Sequence, residues 1–245
     1  MLSLGLVTSV IINYFLFPKG QNRFITGFYW GISILIPSLL TTFFFGTAEY
    51  NPVVSLTLAV NHQIHWWLMI GEVITQILGA WLASLTVKAV WSKWLASLPL
   101  NLNFYATVPR DVNNWKRNFK WEIIGTFLII VNTEMQNDIN AQWWIKTLFS
   151  SLLMMIIISI VAPITGAAFN PTRDLVPRFF FSRTYDKRLS QWKYAVVPFL
   201  GPIIGAILGI IFSVIFSHLV YKSWWQMHFH RYELKQLMKY IELIR

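Results

Sequence analysis

Two asparagine–proline pairs carry the chemistry that this sequence can be expected to do. Asn51-Pro52 follows Gly46-Thr47-Ala48-Glu49-Tyr50, and Asn170-Pro171 follows Thr165-Gly166-Ala167-Ala168-Phe169; each pair stands where an apolar run has just ended. Asparagine is a strong helix N-cap, and proline at the first helical position brings a preset φ and lacks an N–H that would be orphaned there anyway. Each pair therefore predicts a helix start. Ordinary surface turns would also accept Asn-Pro, but the same placement in both halves favours helices. After Asn51 only about three turns of apolar sequence precede Asn61-His62-Gln63, too short to cross a bilayer, so a re-entrant half-helix is expected. Two half-helices entering from opposite faces would meet amino end to amino end near the midplane. Two positive helix ends and two side-chain amides would then offer donors to a passing oxygen and repel cations, protons included. That is a selective path for uncharged polar solutes, in which no bond is made or broken.

Other reactive groups are sparse. His62 and His65 form an H-x-x-H pair beside Trp66-Trp67 with no third ligand nearby, which reads as interfacial histidine rather than a metal site. Glu72 interrupts an apolar run one turn before Gln76; it is either a functional intramembrane acid or an interfacial residue near a helix end. With no cysteine, there is no thiol nucleophile and no thiolate metal site. Neither a nucleophile nor a ligand set is assembled, so no catalytic residue, cofactor or metal is expected, and an intramembrane enzyme using Glu72 and the histidine pair is the weakest candidate.

The elements that would position these residues follow from composition. Of 245 residues, 56% are hydrophobic and only 12% charged, with mean hydropathy +0.52, against about 25% charged in a soluble domain. A disordered chain, a coiled coil and an ordinary cytosolic enzyme are excluded. The net charge of +10 is better explained by basic loops facing anionic headgroups than by nucleic acid, for which no motif is present. Six largely charge-free runs stand out: Leu2–Phe17, Phe24–Phe45, Ile64–Val87, Trp121–Val131 extended on both sides, Trp143–Ile164 and Tyr194–Val220. Tryptophans at 66-67, 91/94, 143-144 and 224-225 sit at the ends of these runs, where an amphipathic ring belongs at the headgroups. His228 and His230 fall in a basic tail, in which Tyr232–Arg245 has the spacing of an interfacial helix.

The two halves resemble each other. Beyond the Asn-Pro segments, Gln76-Ile-Leu-Gly79-Ala80 pairs with Pro202-Ile-Ile-Gly205-Ala206, each in the run after its Asn-Pro segment. Three spans per half is an odd number, so the second half must enter the membrane in the opposite sense. One domain over 1–245 is expected, with a first repeat at about 1–92, a connecting loop at about 93–118, a second repeat at about 119–220 and the basic tail at about 221–245.

At these residues the chain resembles the major intrinsic protein family, the aquaporins and aquaglyceroporins. Asn170-Pro171-Thr172-Arg173-Asp174-Leu175-Val176-Pro177-Arg178 is similar to the family's NPARDLGPR stretch, departing at Thr172 and Val176. Asn51-Pro52-Val53 departs from NPA at its third residue, and Glu122-x-x-x-Thr126 resembles the glutamate pattern of the family's fourth helix. The resemblance implies an all-α membrane protein: six transmembrane helices and two re-entrant half-helices in an inverted 3+3 repeat. It implies Asn51 and Asn170 at the pore midplane, supported by Pro52 and Pro171. Arg173, Trp30, Ile158 and Ala167 become the selectivity filter, Asp174 the mark of the glycerol-conducting branch, and Glu122 an acceptor for backbone N–H groups of the second re-entrant loop. A Trp, aliphatic, Ala, Arg quartet is similar to that of the nodulin-like intrinsic proteins, and the absence of a histidine at Ile158 argues against a water-only filter. Two departures stand out in the first half. No acid precedes Glu49, whereas the family's first helix carries a supporting glutamate; and Glu49 replaces a common histidine, so a carboxylate enters the inner vestibule or pairs with a partner.

The expected function is a passive channel in the cell membrane for small uncharged solutes, glycerol foremost, that excludes ions and protons; the resemblance implies a homotetramer. Family topology puts both termini in the cytoplasm, although the basic residues of loops 18–23, 91–120 and 165–193 then lie outside, against the positive-inside tendency. The alternatives are a facilitator for water, lactic acid, urea or ammonia, and a non-conducting structural or adhesion protein that kept the fold.

Overall fold

The apolar runs become helices packed through small residues. The structure, a computed structural model, describes residues 1–15, 22–94 and 101–219. Its helices are α1 (Leu2–Phe15), α2 (Arg23–Phe45), α3 (Pro52–Val60), α4 (Trp66–Trp94), α5 (Trp115–Asp138), α6 (Trp143–Thr165), α7 (Pro171–Thr184) and α8 (Val196–Leu219). Among the described residues no strand occurs. The tail and its histidines, with Trp224 and Trp225, lie outside the described residues.

The two halves repeat one pattern. In the first, α2 ends on Gly46 in the left-handed region (φ 78°), whose N–H bonds the Thr42 carbonyl, and the chain then runs to Asn51 and α3. In the second, α6 ends on Gly166 (φ 87°), whose N–H bonds the Ala162 carbonyl, and the chain runs to Asn170 and α7. Glycine suits both corners because it has no Cβ to clash at positive φ. The half-helices are 9 and 14 residues long, too short to span.

Helices α2, α4, α6 and α8 are each long and apolar enough to cross a membrane. Helix α1 has 14 residues. Helix α5 has 24, extending the Trp121–Val131 run on both sides as expected, and its polar residues turn inward: Asn118, Glu122 and Thr126 are completely buried. Large apolar side chains instead face outward, among them Ile74, Leu78 and Leu82 on α4, Ile156 and Ile160 on α6, and Ile211 on α8. A contiguous apolar exterior over a polar interior is a lipid-facing surface.

Since lipid tails are as apolar as leucine, close backbone approach must hold the bundle together. Gly201, Gly205 and Gly209 form such a stripe on α8: a Cβ at Gly205 would lie 2.5 Å from the Ile123 carbonyl oxygen, and one at Gly209 would lie 2.8 Å from Ile130 on α5. On α2, Gly27 and Gly31 fit against Met155 and Ser159 of α6 in the same way. Gly79 is the sequence counterpart of Gly205 but not its structural one, since nothing lies within 4 Å of a Cβ there.

The segment between the halves does more than join them. Leu102, Tyr105, Ala106 and Thr107 are buried, so the loop dips back into the protein over α7. The Tyr105 hydroxyl lies 2.8 Å from that of Tyr185, and burial pushes its pKa up, keeping it protonated.

Candidate functional site

The half-helices meet at their amino ends through a reciprocal pair of hydrogen bonds. The Asn51 Oδ1 accepts from the Val53 N–H at 3.2 Å while its Nδ2 donates to the Phe169 carbonyl at 2.8 Å. The Asn170 Oδ1 accepts from the Arg173 N–H at 3.1 Å while its Nδ2 donates to the Tyr50 carbonyl at 2.6 Å. Each asparagine thus caps its own helix and ties down the loop preceding the other. Pro52 and Pro171 stand at the first helical positions. The sequence suggested that both amides face the path as donors; in the structure one N–H of each amide is engaged in this cross-link. Both asparagines line a cavity of about 450 Å³.

The loop before Asn170 is strained. Ala167 and Phe169 have φ of 53° and 51°, a left-handed geometry that costs non-glycine residues about 1–3 kcal/mol each and survives only when its surroundings fix it. Glu122, fully buried on α5, supplies that constraint. Its Oε1 accepts from the Thr165 hydroxyl at 2.6 Å and the Ala168 N–H at 3.0 Å, and its Oε2 accepts from the Phe169 N–H at 2.8 Å. The Phe169 ring fits only because Gly125 lacks a Cβ, which would lie 2.1 Å from it.

The first loop is held differently. Gln76 of α4 donates through Nε2 to the Glu49 carbonyl at 3.2 Å and to the Ser55 hydroxyl at 3.0 Å, and the Tyr50 and Thr41 hydroxyls lie 2.6 Å apart. Thus α4 carries out the tethering that no acid in α1 could. The Glu49 carboxylate accepts from the Thr47 hydroxyl and borders the main cavity and a second one of about 440 Å³. Both alternatives raised for Glu49 therefore hold: it has a partner and it lines the vestibule.

Trp30, Ile158, Ala167 and Arg173, which come from α2, α6, the second loop and α7, line the same cavity as the two asparagines. The Arg173 guanidinium lies over the Trp30 indole, 4.8 Å from the ring centroid, and its Nη1 is buried without a hydrogen-bond partner. A cation stacked on an aromatic face with an unused donor can hold a hydroxyl while the indole faces a carbon skeleton. Thr133, Gln136, Thr147 and Ser150 add polar side chains to the cavity lining.

Asp174 points away from the cavity. Its Oδ1 accepts from the Thr107 N–H at 2.8 Å and from the Thr107 hydroxyl, and both of its oxygens accept from Arg178, Oδ2 from Nε at 2.8 Å. Arg178 also donates to the Thr107 carbonyl at 2.7 Å and the Ser190 carbonyl at 2.8 Å. Asp174 and Arg178 are completely buried, so their pairing locks the inter-repeat loop and the 186–191 turn onto α7. Sequence inspection missed Thr107 and Gln76 in these roles; only polarity within an apolar neighbourhood could have drawn attention to them.

The remaining candidates lie away from this cavity's lining. His65 stacks on Trp67 with ring centroids 6.2 Å apart. Glu72 lies on α4 with Oε2 buried and without a partner, which leaves both of its readings standing.

Two half-helices joined at their amino ends beside a shared cavity, inside a bundle of inverted repeats, define a membrane channel. The family model described as major intrinsic protein matches residues 6–212, and the chain belongs to that family. It is 30% identical over 215 residues to a "Probable glycerol uptake facilitator protein" of Mycoplasma genitalium, covering 81% of this chain and 82% of the relative. It is 31% identical over 213 residues to a protein of the same description from Thermotoga maritima, covering 81% and 86%. Among solved structures, the aquaglyceroporin from Plasmodium falciparum superposes with a TM-score of 0.72 at 19% identity, covering 86% of this chain and 89% of that one; this likeness concerns the fold.

Proposed function

We propose that the protein is a passive pore for small uncharged polyols, glycerol foremost, with Trp30, Ile158, Ala167 and Arg173 as its filter and Asn51 and Asn170 at its midplane. The observation that carries this is the Arg173 guanidinium stacked on Trp30 with Nη1 unpaired. A donor beside an aromatic wall matches a molecule with hydroxyls on one side and C–H bonds on the other. The relatives described as glycerol uptake facilitators support the same solute class.

Exclusion of ions follows from electrostatics. A cation at the midplane meets the positive ends of α3 and α7 and then the fixed charge of Arg173. An anion must shed its water in a narrow apolar-walled path with few donors to replace it. In this account the chain is a single channel domain of two repeats in the cell membrane, acts as a homotetramer, passes water with its solute, and keeps both termini in the cytoplasm.

Purified protein in liposomes tests the proposal by stopped-flow light scattering. An inward glycerol gradient is expected to give fast re-swelling after the initial shrinkage, absent from empty liposomes. Re-swelling no faster than in empty liposomes refutes it.

A further inference from the structure

Trp30 has a second neighbour besides Arg173. Its six-membered ring lies against Gly5 of α1: a Cβ built on Gly5 would be 2.2 Å from Cζ3, 2.6 Å from Cε3 and 2.7 Å from Cη2. A short distance to one ring atom and nearly equal ones to its two neighbours is the pattern of an approach onto the ring face. Trp30 is 8% exposed and borders the cavity that Arg173 and both asparagines line. The indole therefore stands between the backbone of α1 and the solute path.

We infer that Gly5 is a positioning residue for solute selectivity: its missing side chain lets the Trp30 indole lie back against α1 and sets the width of the filter. This rests on the proposal that Trp30 and Arg173 form that filter. Ordinary contact begins at about 3.4 Å, so a methyl group at position 5 must push the ring off by about 1.2 Å, the difference from 2.2 Å. The open space available to a ring bordered by α1 is the cavity. A displaced ring intrudes on the path and disturbs the guanidinium stack, which burdens a three-carbon solute more than water.

The test is Gly5→Ala, alone and combined with Trp30→Phe, with glycerol and water permeabilities measured on the same proteoliposomes. Alanine is a better helix former than glycine, so α1 itself is not weakened. Gly5→Ala is expected to lower the ratio of glycerol to water permeability by about tenfold, the signature of a narrowed constriction. In a Trp30→Phe background, where the smaller ring leaves room, the same change is expected to leave the ratio unaltered. Gly71→Ala, where a Cβ meets nothing within 4 Å, is the control and should match the wild type. A wild type that passes glycerol, with an unchanged ratio in Gly5→Ala, overturns this inference alone. So does an equal loss of both fluxes that Trp30→Phe does not relieve. A wild type without glycerol flux overturns the filter reading and this inference with it.

Discussion

Replacing Glu122 by glutamine tests the claim that one buried carboxylate holds the second re-entrant loop. The carboxylate receives three donors: the Thr165 hydroxyl, the Ala168 N–H and the Phe169 N–H, at 2.6, 3.0 and 2.8 Å. Glutamine keeps one acceptor oxygen and turns the other into an NH₂ group, so at least one backbone N–H faces a donor. Hydrogen bonds to a charged group contribute about 1.5–3 kcal/mol each, and an orphaned buried N–H costs about 1–3 kcal/mol. The strained φ values at Ala167 and Phe169 also lose part of their constraint. A loss of about 3 kcal/mol is expected, corresponding in a chain of this size to a fall in Tm of about 6–12 °C. Thermal unfolding in detergent, followed by tryptophan fluorescence, measures it. Because Glu122 does not line the cavity, glycerol flux should fall while the ratio of glycerol to urea permeability stays constant. An unchanged Tm with normal flux would refute the reasoning.

Other substitutions separate solute selection from support. If Arg173 is the filter donor proposed above, Arg173→Ala removes that donor and its charge and should raise urea and ion permeability relative to glycerol; identical permeabilities in liposome flux and conductance assays would count against Arg173 as a filter residue. Asp174→Ala leaves the Arg178 charge buried without its partner and should destabilise by about 3–5 kcal/mol, read as a lower Tm and faster proteolysis in the 102–110 loop; a wild-type melting curve would contradict this. Gly205→Val drives a side chain into the Ile123 carbonyl, 2.5 Å from its Cβ position, and should prevent recovery of folded protein, whereas Gly79→Val on the open face of α4 should be recovered normally.

The parts of this architecture that were legible in the sequence are those where one residue type has one backbone job. Asn51-Pro52 and Asn170-Pro171 marked helix starts because capping and a preset φ are local properties, and the caps stand there. Gln76-Ile-Leu-Gly79-Ala80 and Pro202-Ile-Ile-Gly205-Ala206 were legible as a repeat, but the close packing of Gly205 against α5 was not. Long-range polar contacts were not legible. Nothing local tells that Thr107 reaches Asp174 across 67 residues, or that Gln76 reaches the Glu49 carbonyl across 27. The inter-repeat stretch looked like a junction because its polar composition conceals the buried Leu102, Tyr105, Ala106 and Thr107. The inward polar face of α5 was legible only through the resemblance at Glu122, because hydropathy counts Asn118 and Glu122 as solvent-facing, whereas both are buried. Gly79 and Gly205 matched as letters but not as contacts, since packing depends on the helix opposite.

The central claim is a continuous solute path, apolar-walled with a few fixed donors, through the meeting point of α3 and α7. The most direct test is the temperature dependence of glycerol permeability in proteoliposomes, compared with that of empty liposomes of the same lipid. A pore predicts fast flux with a shallow temperature dependence close to that of diffusion in water, because Arg173 and the two asparagines replace the solute's hydration. Flux with the steep temperature dependence of the bare bilayer would contradict it.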